Sequence, residues 1–315
     1  MVKRESKDIF IRQNEKGMIN FLKAQHFVYA SAKKWIAPLF FCMILWPLVI
    51  NIVTNFVKND VFLGLLIVAT FIFTGLGYVI RYIYKKKKLL AAGIQQKFDL
   101  YVLDIKETCG KYLKQKMPQR ECVIKAVKKY ESKEDNLFLN WYSDYSKLPF
   151  EQAVFFCQKE NLNWTLKLKK VYLIFLICFF TVIFIGIVIN SILSSDLLIK
   201  FVLILFTLFP LILSFAEGLR KIIKDISCQQ EIQEKIKQIE TELNKLNGKA
   251  LNDLSEKLQA EIYMYRQKSY MVPEWFYKIT RKKYQNTEDE IAREISEEYK
   301  PKGKRKGKNE SNTEK

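Results

Sequence analysis

The sequence predicts an all-α membrane protein. It has four transmembrane helices in two hairpins, a small α-rich cytoplasmic insert between them, and a C-terminal coiled-coil-like helix. Three observations carry that reading. Apolar residues come in four long runs, 35–57, 61–80, 171–193 and 197–216, and the last two are parted only by Ser194, Ser195 and Asp196. About 20 helical residues rising ~1.5 Å each span a ~30 Å hydrocarbon core, so three polar residues between two such runs make a turn and nothing larger. The chain is 49% hydrophobic yet carries a formal net charge of +19, with the two kinds of residue in separate blocks. Spans with charged flanks have this pattern. Beyond the fourth run, apolar residues recur at threes and fours from Ile232, as on a helix with one buried stripe.

Residues 1–34 read as an N-terminal cytoplasmic amphipathic segment. Ile11, Met18, Phe21, Leu22, Gln25 and Tyr29 share one side, and eight basic residues face three acidic ones. The first apolar run follows a polar, Lys-rich lead, which is not a secretory signal pattern. Residues 35–84 form the first hairpin. Pro38 and Pro47 interrupt the hydrogen-bonding of its first span, and Lys58-Asn59-Asp60 turns the chain. The second span ends in Tyr82, Tyr84 and Lys85–Lys88, an interfacial aromatic belt followed by a cationic anchor.

The insert spans residues 85–170 and holds nineteen basic against ten acidic residues. With the basic N-terminal segment, this places both termini and the insert in the cytoplasm and the two short turns outside. Within the insert, Leu89–Phe98 continues the second span, and Leu100–Ile105 is rich in β-formers and reads as one short strand. Pro118 opens a helix to Tyr130, and Pro149 starts another that leads into the third span. Residues 171–217 form the second hairpin.

Residues 218–284 read as a helical stalk, with Ile232, Ile236, Ile239, Leu243, Leu246 and Ala250 in heptad spacing and a run of fours after them. Asn247-Gly248 is the point where this helix could fold into a hairpin. The continuous helix is favoured, because the apolar stripe crosses the glycine in phase. The stalk then offers a surface on which copies associate, and a homo-oligomer is expected because four spans are too few for a wide channel. Residues 272–284, with Trp275, Phe276 and Arg281–Lys283, suit a position near a lipid surface. Residues 285–315 form a charged tail expected to be disordered. Its basic end could hold anionic lipid, and a solvated tail explains it equally well; no specific nucleic-acid binding is expected.

No phosphate loop, metal-binding pattern or nucleophile arrangement is present, so neither an enzyme nor a cofactor is expected. The six cysteines show no C-x-x-C pairing, and His26, the only histidine, reads as structural. Asp99 and Asp104 read as surface carboxylates. Polar residues within the spans say more. Asn51, Thr54 and Asn55 follow one face of the first span, and Lys200, Thr207 and Ser214 recur at sevens in the fourth, with Glu217 near the same stripe. Such groups either line a water-filled conduit or bond between helices, and both readings stand.

Several short motifs resemble the S-4TM family of pore-forming effectors, found beside bacterial antiviral systems that signal with cyclic oligonucleotides. They are Gln13-Asn14, Ala24-Gln25 with Tyr29 and Lys33, Ala91-Ala92, Ile94-Gln95, Lys97-Phe98-Asp99 and Val102-Leu103. Trp141-Tyr142, Leu148-Pro149, Cys157-Gln158 with Asn161 and Trp164, Ile262-Tyr263, Arg266 and Val272-Pro273 with Trp275 and Tyr277 follow. The similarity covers roughly residues 9–284, and His26 stands where an arginine is expected. The resemblance implies a multi-pass effector of the bacterial inner membrane that permeabilises it during abortive infection. The implied signal is a cyclic oligonucleotide from a neighbouring nucleotidyltransferase, acting on the net-positive insert. Candidate contacts there are Lys85, Lys86, Lys87, Lys88, Gln95, Trp141, Gln158 and Asn161, and core packing or lipid-headgroup binding is the alternative for each. The alternative is a non-conducting membrane scaffold that recruits partners through stalk and tail.

Overall fold

In chain order the helices are α1 (Ser6–Arg12), α2 (Lys16–Lys33), α3 (Ile36–Phe40), a π-helical stretch Phe41–Leu45, α4 (Trp46–Thr54) and α5 (Asp60–Val102). Then come α6 (Arg120–Lys129), α7 (Phe150–Ile192), α8 (Leu197–Glu242) and α9 (Gly248–Lys268). The computed structural model describes residues 4–54, 56–57, 59–105, 118–130, 138–192, 197–273, 275–276, 279 and 294. Among the described residues there is no strand. Three stretches, Lys16–Thr54, Asp60–Val102 and Phe150–Gly186, are long and apolar enough to cross a membrane. The fourth apolar run forms the first part of α8; the turn Ser194–Asp196, the stretch Ser132–Asn136 and the tail lie outside the described residues.

The first apolar run bends through its prolines. Pro47 has no N–H and its ring crowds the carbonyl of Met43, so the turn before it widens, and the Trp46 N–H reaches back to the Phe41 carbonyl. The run packs closely on α5. Trp46 stacks on Phe73 with centroids 4.3 Å apart and donates to Thr70 Oγ1 at 3.3 Å. A Cβ on Gly77 would lie 2.7 Å from Met43 Cε, so the Met43 side chain lies over this glycine. On the other side, Phe180 of α7 stacks on Phe215 of α8 at 3.9 Å, with Ile44 and Leu48 against the pair.

Asn59 caps α5, accepting from the Val61 and Phe62 amides at 3.0 and 3.1 Å. The helix then runs 43 residues without a break, ~65 Å, from the apolar zone into a polar body. The body's core is built from Phe98, Val102 and Leu103 of α5, Phe155 and Phe156 of α7, Ile232 and Ile236 of α8, and Leu258 and Ile262 of α9. Leu22 of α2 and Tyr142 and Tyr145 of the segment before α7 complete it.

Two expectations are corrected here. The short strand at Leu100–Ile105 is instead the end of α5. The Ile105 and Asp104 amides fold back to the Leu100 and Tyr101 carbonyls, with Asp104 left-handed at φ 50°. Arg12 finishes this end by donating to the Val102 carbonyl at 2.8 and 3.0 Å. The apolar residues that suggested a strand are core contacts of a helix terminus. The continuous coiled-coil-like stalk is likewise a hairpin. α8 stops at Glu242, and Asn247 caps α9, accepting from the Ala250 amide at 2.8 Å. Ile236 and Leu243 are 2% and 1% exposed, buried within their own chain, so these heptad positions offer no surface to another copy.

Candidate functional site

Two buried polar constellations tie the long helices together. The first lies inside the body. Asp99 of α5 is fully buried, with Arg266 of α9 bonded through Nη1 to its Oδ2. Tyr142 donates to Asp99 Oδ1 at 2.7 Å and receives a bond from Asn161 Nδ2 at 2.9 Å. Gln259 Nε2 donates to Asp99 Oδ2 at 3.1 Å and to Gln96 Oε1 at 2.9 Å. Gln158 Nε2 donates to Gln259 Oε1 at 3.0 Å and to the Ser255 carbonyl at 2.9 Å. A carboxylate this deep survives only because every neighbour donates to it or balances its charge. Burial, reinforced by Asp99, pushes the Tyr142 hydroxyl well above its ordinary pKa, and burial pushes Tyr29 nearby up to about 12. Both stay protonated donors. Gln96 Nε2, Gln158 Oε1, Ser255 Oγ and Arg266 Nη2 have no hydrogen-bond partner among the described residues.

The second constellation sits where the apolar helices enter the body. Glu217 of α8 bonds both Arg81 of α5 and Lys221. One level deeper, Lys169 of α7 meets Asp225 of α8 at 2.6 Å, both almost fully buried, and also donates to the Tyr265 hydroxyl and to Gln229 Oε1. Lys88 is 7% exposed and donates to the Ser269 carbonyl at 3.0 Å. Burial holds its pKa down, at about 8. Burial also lowers that of Lys169, against the opposing pull of Asp225.

The sequence-derived candidates divide between these places. Gln158 and Asn161 belong to the Asp99 network, while Trp141 packs edge-on against Phe98 at 6.4 Å. Gln95 accepts from the Tyr29 hydroxyl at 3.5 Å. Of the four lysines, Lys85 and Lys86 are exposed, Lys87 donates to Ser31 Oγ at 2.9 Å, and only Lys88 is buried. In the first span, Asn51 is 2% exposed, and Thr54 donates back to its carbonyl at 2.8 Å. Asn55 and the side chains of Lys200, Thr207 and Ser214 lie outside the described residues. Glu217, placed in the conduit stripe by its spacing, sits in the ion-paired junction. Asp99 corrects the surface reading given to it, whereas Asp104 is half-exposed and pairs with Arg4 at 2.9 Å.

Sequence reasoning passed over Gln96, Gln259, Lys169 and Asp225. The available signal was Ala92, Gln96 and Asp99 at spacings of four and three, a polar seam on an otherwise buried helix face. Several residues of the family-like motifs are fully buried: Phe98 and Cys157 in the main core, Asp99 and Gln158 in the polar network, Ala91 and Ile94 against α2 and α6, and Ala92 against Tyr263.

A family model described as the SMODS-associating 4TM effector domain matches residues 7–295. The chain belongs to this family. SMODS-associating 4TM effectors are linked to antiviral signalling systems and are not an enzymatic family. No curated protein and no solved structure matches the chain.

Proposed function

We propose that this 4TM effector is a four-span, inner-membrane pore former with cytoplasmic termini, opened by a cytoplasmic signal of the cyclic oligonucleotide class. The observation that carries the reading is mechanical. α5 and α7 are each unbroken between an apolar stretch and the polar body, and buried hydrogen bonds with α9 clamp both there. A signal that reshapes the body would therefore tilt these helices against the first apolar run and α8. The portion of α5 beyond Arg81 is ~32 Å long, so a tilt of ~5° moves its end by ~3 Å. To shift the population from 1:99 to 99:1, the signal must favour the open state by ~5.5 kcal/mol. Assembly of several copies would supply a wider path than one chain can.

Liposome leakage by the purified protein, with and without candidate cyclic oligonucleotides, tests the reading against an Asn51→Leu/Asn55→Leu variant. Leakage that needs both ligand and asparagines supports pore and sensor together. Ligand-independent leakage keeps the pore and removes the sensor. No leakage under any condition favours a non-conducting scaffold.

A further inference from the structure

We infer that the junction between the apolar helices and the body is a phosphate-binding site, centred on Lys88 and entered past Lys85 and Lys221. Arg81, Lys85 and Lys88 stand at spacings of four and three, one face of α5. That face meets Glu217, Lys221 and Asp225 of α8, with Lys169 of α7 alongside. Five cations thus gather around two carboxylates. Both carboxylates are already engaged, Glu217 with Arg81 and Lys221, and Asp225 with Lys169.

Lys88 is left over. It is more than nine-tenths buried, and among the described residues its single hydrogen bond goes to a neutral carbonyl. An ammonium carries three donors, and a buried one without a counter-charge is costly. Lys169, Lys85 and Lys221 all act on it as like charges, and among the described residues Asp225 opposes them. A multi-oxygen anion resolves this arrangement: it supplies acceptors for the Lys88 ammonium and charge for the exposed lysines at the mouth. Tyr84, one helical turn before Lys88, lies beside Tyr270 and Met271, the two residues that follow Ser269. The site lies just past the Tyr82 and Tyr84 belt, within reach of a lipid headgroup and of a soluble phosphate ester alike. A bound phosphate would cross-link α5, α7 and α8 at the level where they enter the bilayer. The site does not depend on conduction, so its test is read separately from leakage.

The test uses the full chain in phosphatidylcholine nanodiscs, with thermal unfolding followed in phosphate-free buffer. Inorganic pyrophosphate is titrated in one arm, and phosphatidylglycerol replaces part of the lipid in the other. The wild type is expected to melt higher with at least one probe: pyrophosphate alone marks a soluble phosphate as the ligand, phosphatidylglycerol alone a headgroup. If both act, and pyrophosphate abolishes the phosphatidylglycerol effect, one site serves both. Lys88→Met should weaken the response about tenfold or more, by loss of a charge-assisted bond. Lys88→Arg should retain the response, and Lys128→Met, on the exposed face of α6, should leave it unchanged. Without either probe, Lys88→Met should melt no lower than wild type, because it removes a buried uncompensated charge. The inference is overturned if neither probe stabilises the wild type or if Lys88→Met responds like it. It is also overturned if Lys88→Met melts lower, or fails to fold, with no anion present, since the bond to Ser269 would then explain the lysine.

Discussion

Removing the guanidinium from the buried Asp99–Arg266 pair should be among the most damaging single changes in the body. Arg266→Met keeps the aliphatic stem but leaves Asp99, 0% exposed, with only the neutral donors Tyr142 and Gln259. Breaking a buried pair from one side costs about 3–5 kcal/mol. The two remaining hydrogen bonds soften the loss, so about 3 kcal/mol is expected. At roughly 2–4 °C per kcal/mol for a unit of this size, the midpoint should fall by on the order of 10 °C. Thermal unfolding in a mild detergent, followed by Trp fluorescence, reads this directly. The double variant Asp99→Leu/Arg266→Met removes both charges and should recover at least half of the loss. A single variant that melts with wild type would refute the argument, as would a double variant with losses that simply add.

Three further outcomes follow from the same interior. In phosphate-free, zwitterionic nanodiscs, stability should rise with pH from about 8 toward 10.5, the window in which unfolded Lys88 holds a proton that the folded one releases. The groups facing Lys88 are Asp225, Lys169, Lys85 and Lys221, and a melting-temperature series on Lys88→Met should show a flatter rise. Gly93→Ala should destabilise, because its Cβ would lie 2.8 Å from the Pro118 ring; overpacking costs about 1–3 kcal/mol against a helix-propensity gain of about 1. A higher melting point for that variant would show that Pro118 yields. Ile236→Asp should unfold the body in each chain, visible as protease sensitivity of residues 150–268, and not merely separate copies. A variant that stays protease-resistant but loses cross-linked ladders would restore the stalk as an assembly element.

The apolar helices were legible because lipid leaves a backbone no choice but a long helix of apolar residues, and such a run stands out in any sequence. The interior of the body was not. Asp99 gains its meaning from Arg266, 167 residues away, and no local pattern announces that partner. The hairpin at Asn247-Gly248 was misjudged for a related reason. Both arms face one core, so the apolar stripe crosses the turn in phase and mimics a single helix. Leu100–Ile105 shows the limit of composition, since a helix end buried among other helices uses the same side chains as a strand. Of the ligand candidates, Gln158 and Asn161 belong to the Asp99 network, and Lys88 stands in a run of four lysines. Its burial, which sets it apart from Lys85 and Lys86, comes only from packing.

The distance along the chain between Asp99 and Arg266 also sets an order of manufacture. At roughly 5–20 residues per second, a ribosome needs ~8–33 s to make the segment that separates them. During that interval α5 and α7 are delivered toward the bilayer while Asp99 has no cation to meet. α9 emerges after them and brings Arg266, Gln259 and Tyr265 together. The body therefore closes only after the apolar helices exist, because the residues that close it follow them in the chain. A ribosome stalled before Ile262 leaves a chain with apolar helices and an Asp99 that lacks its Arg266.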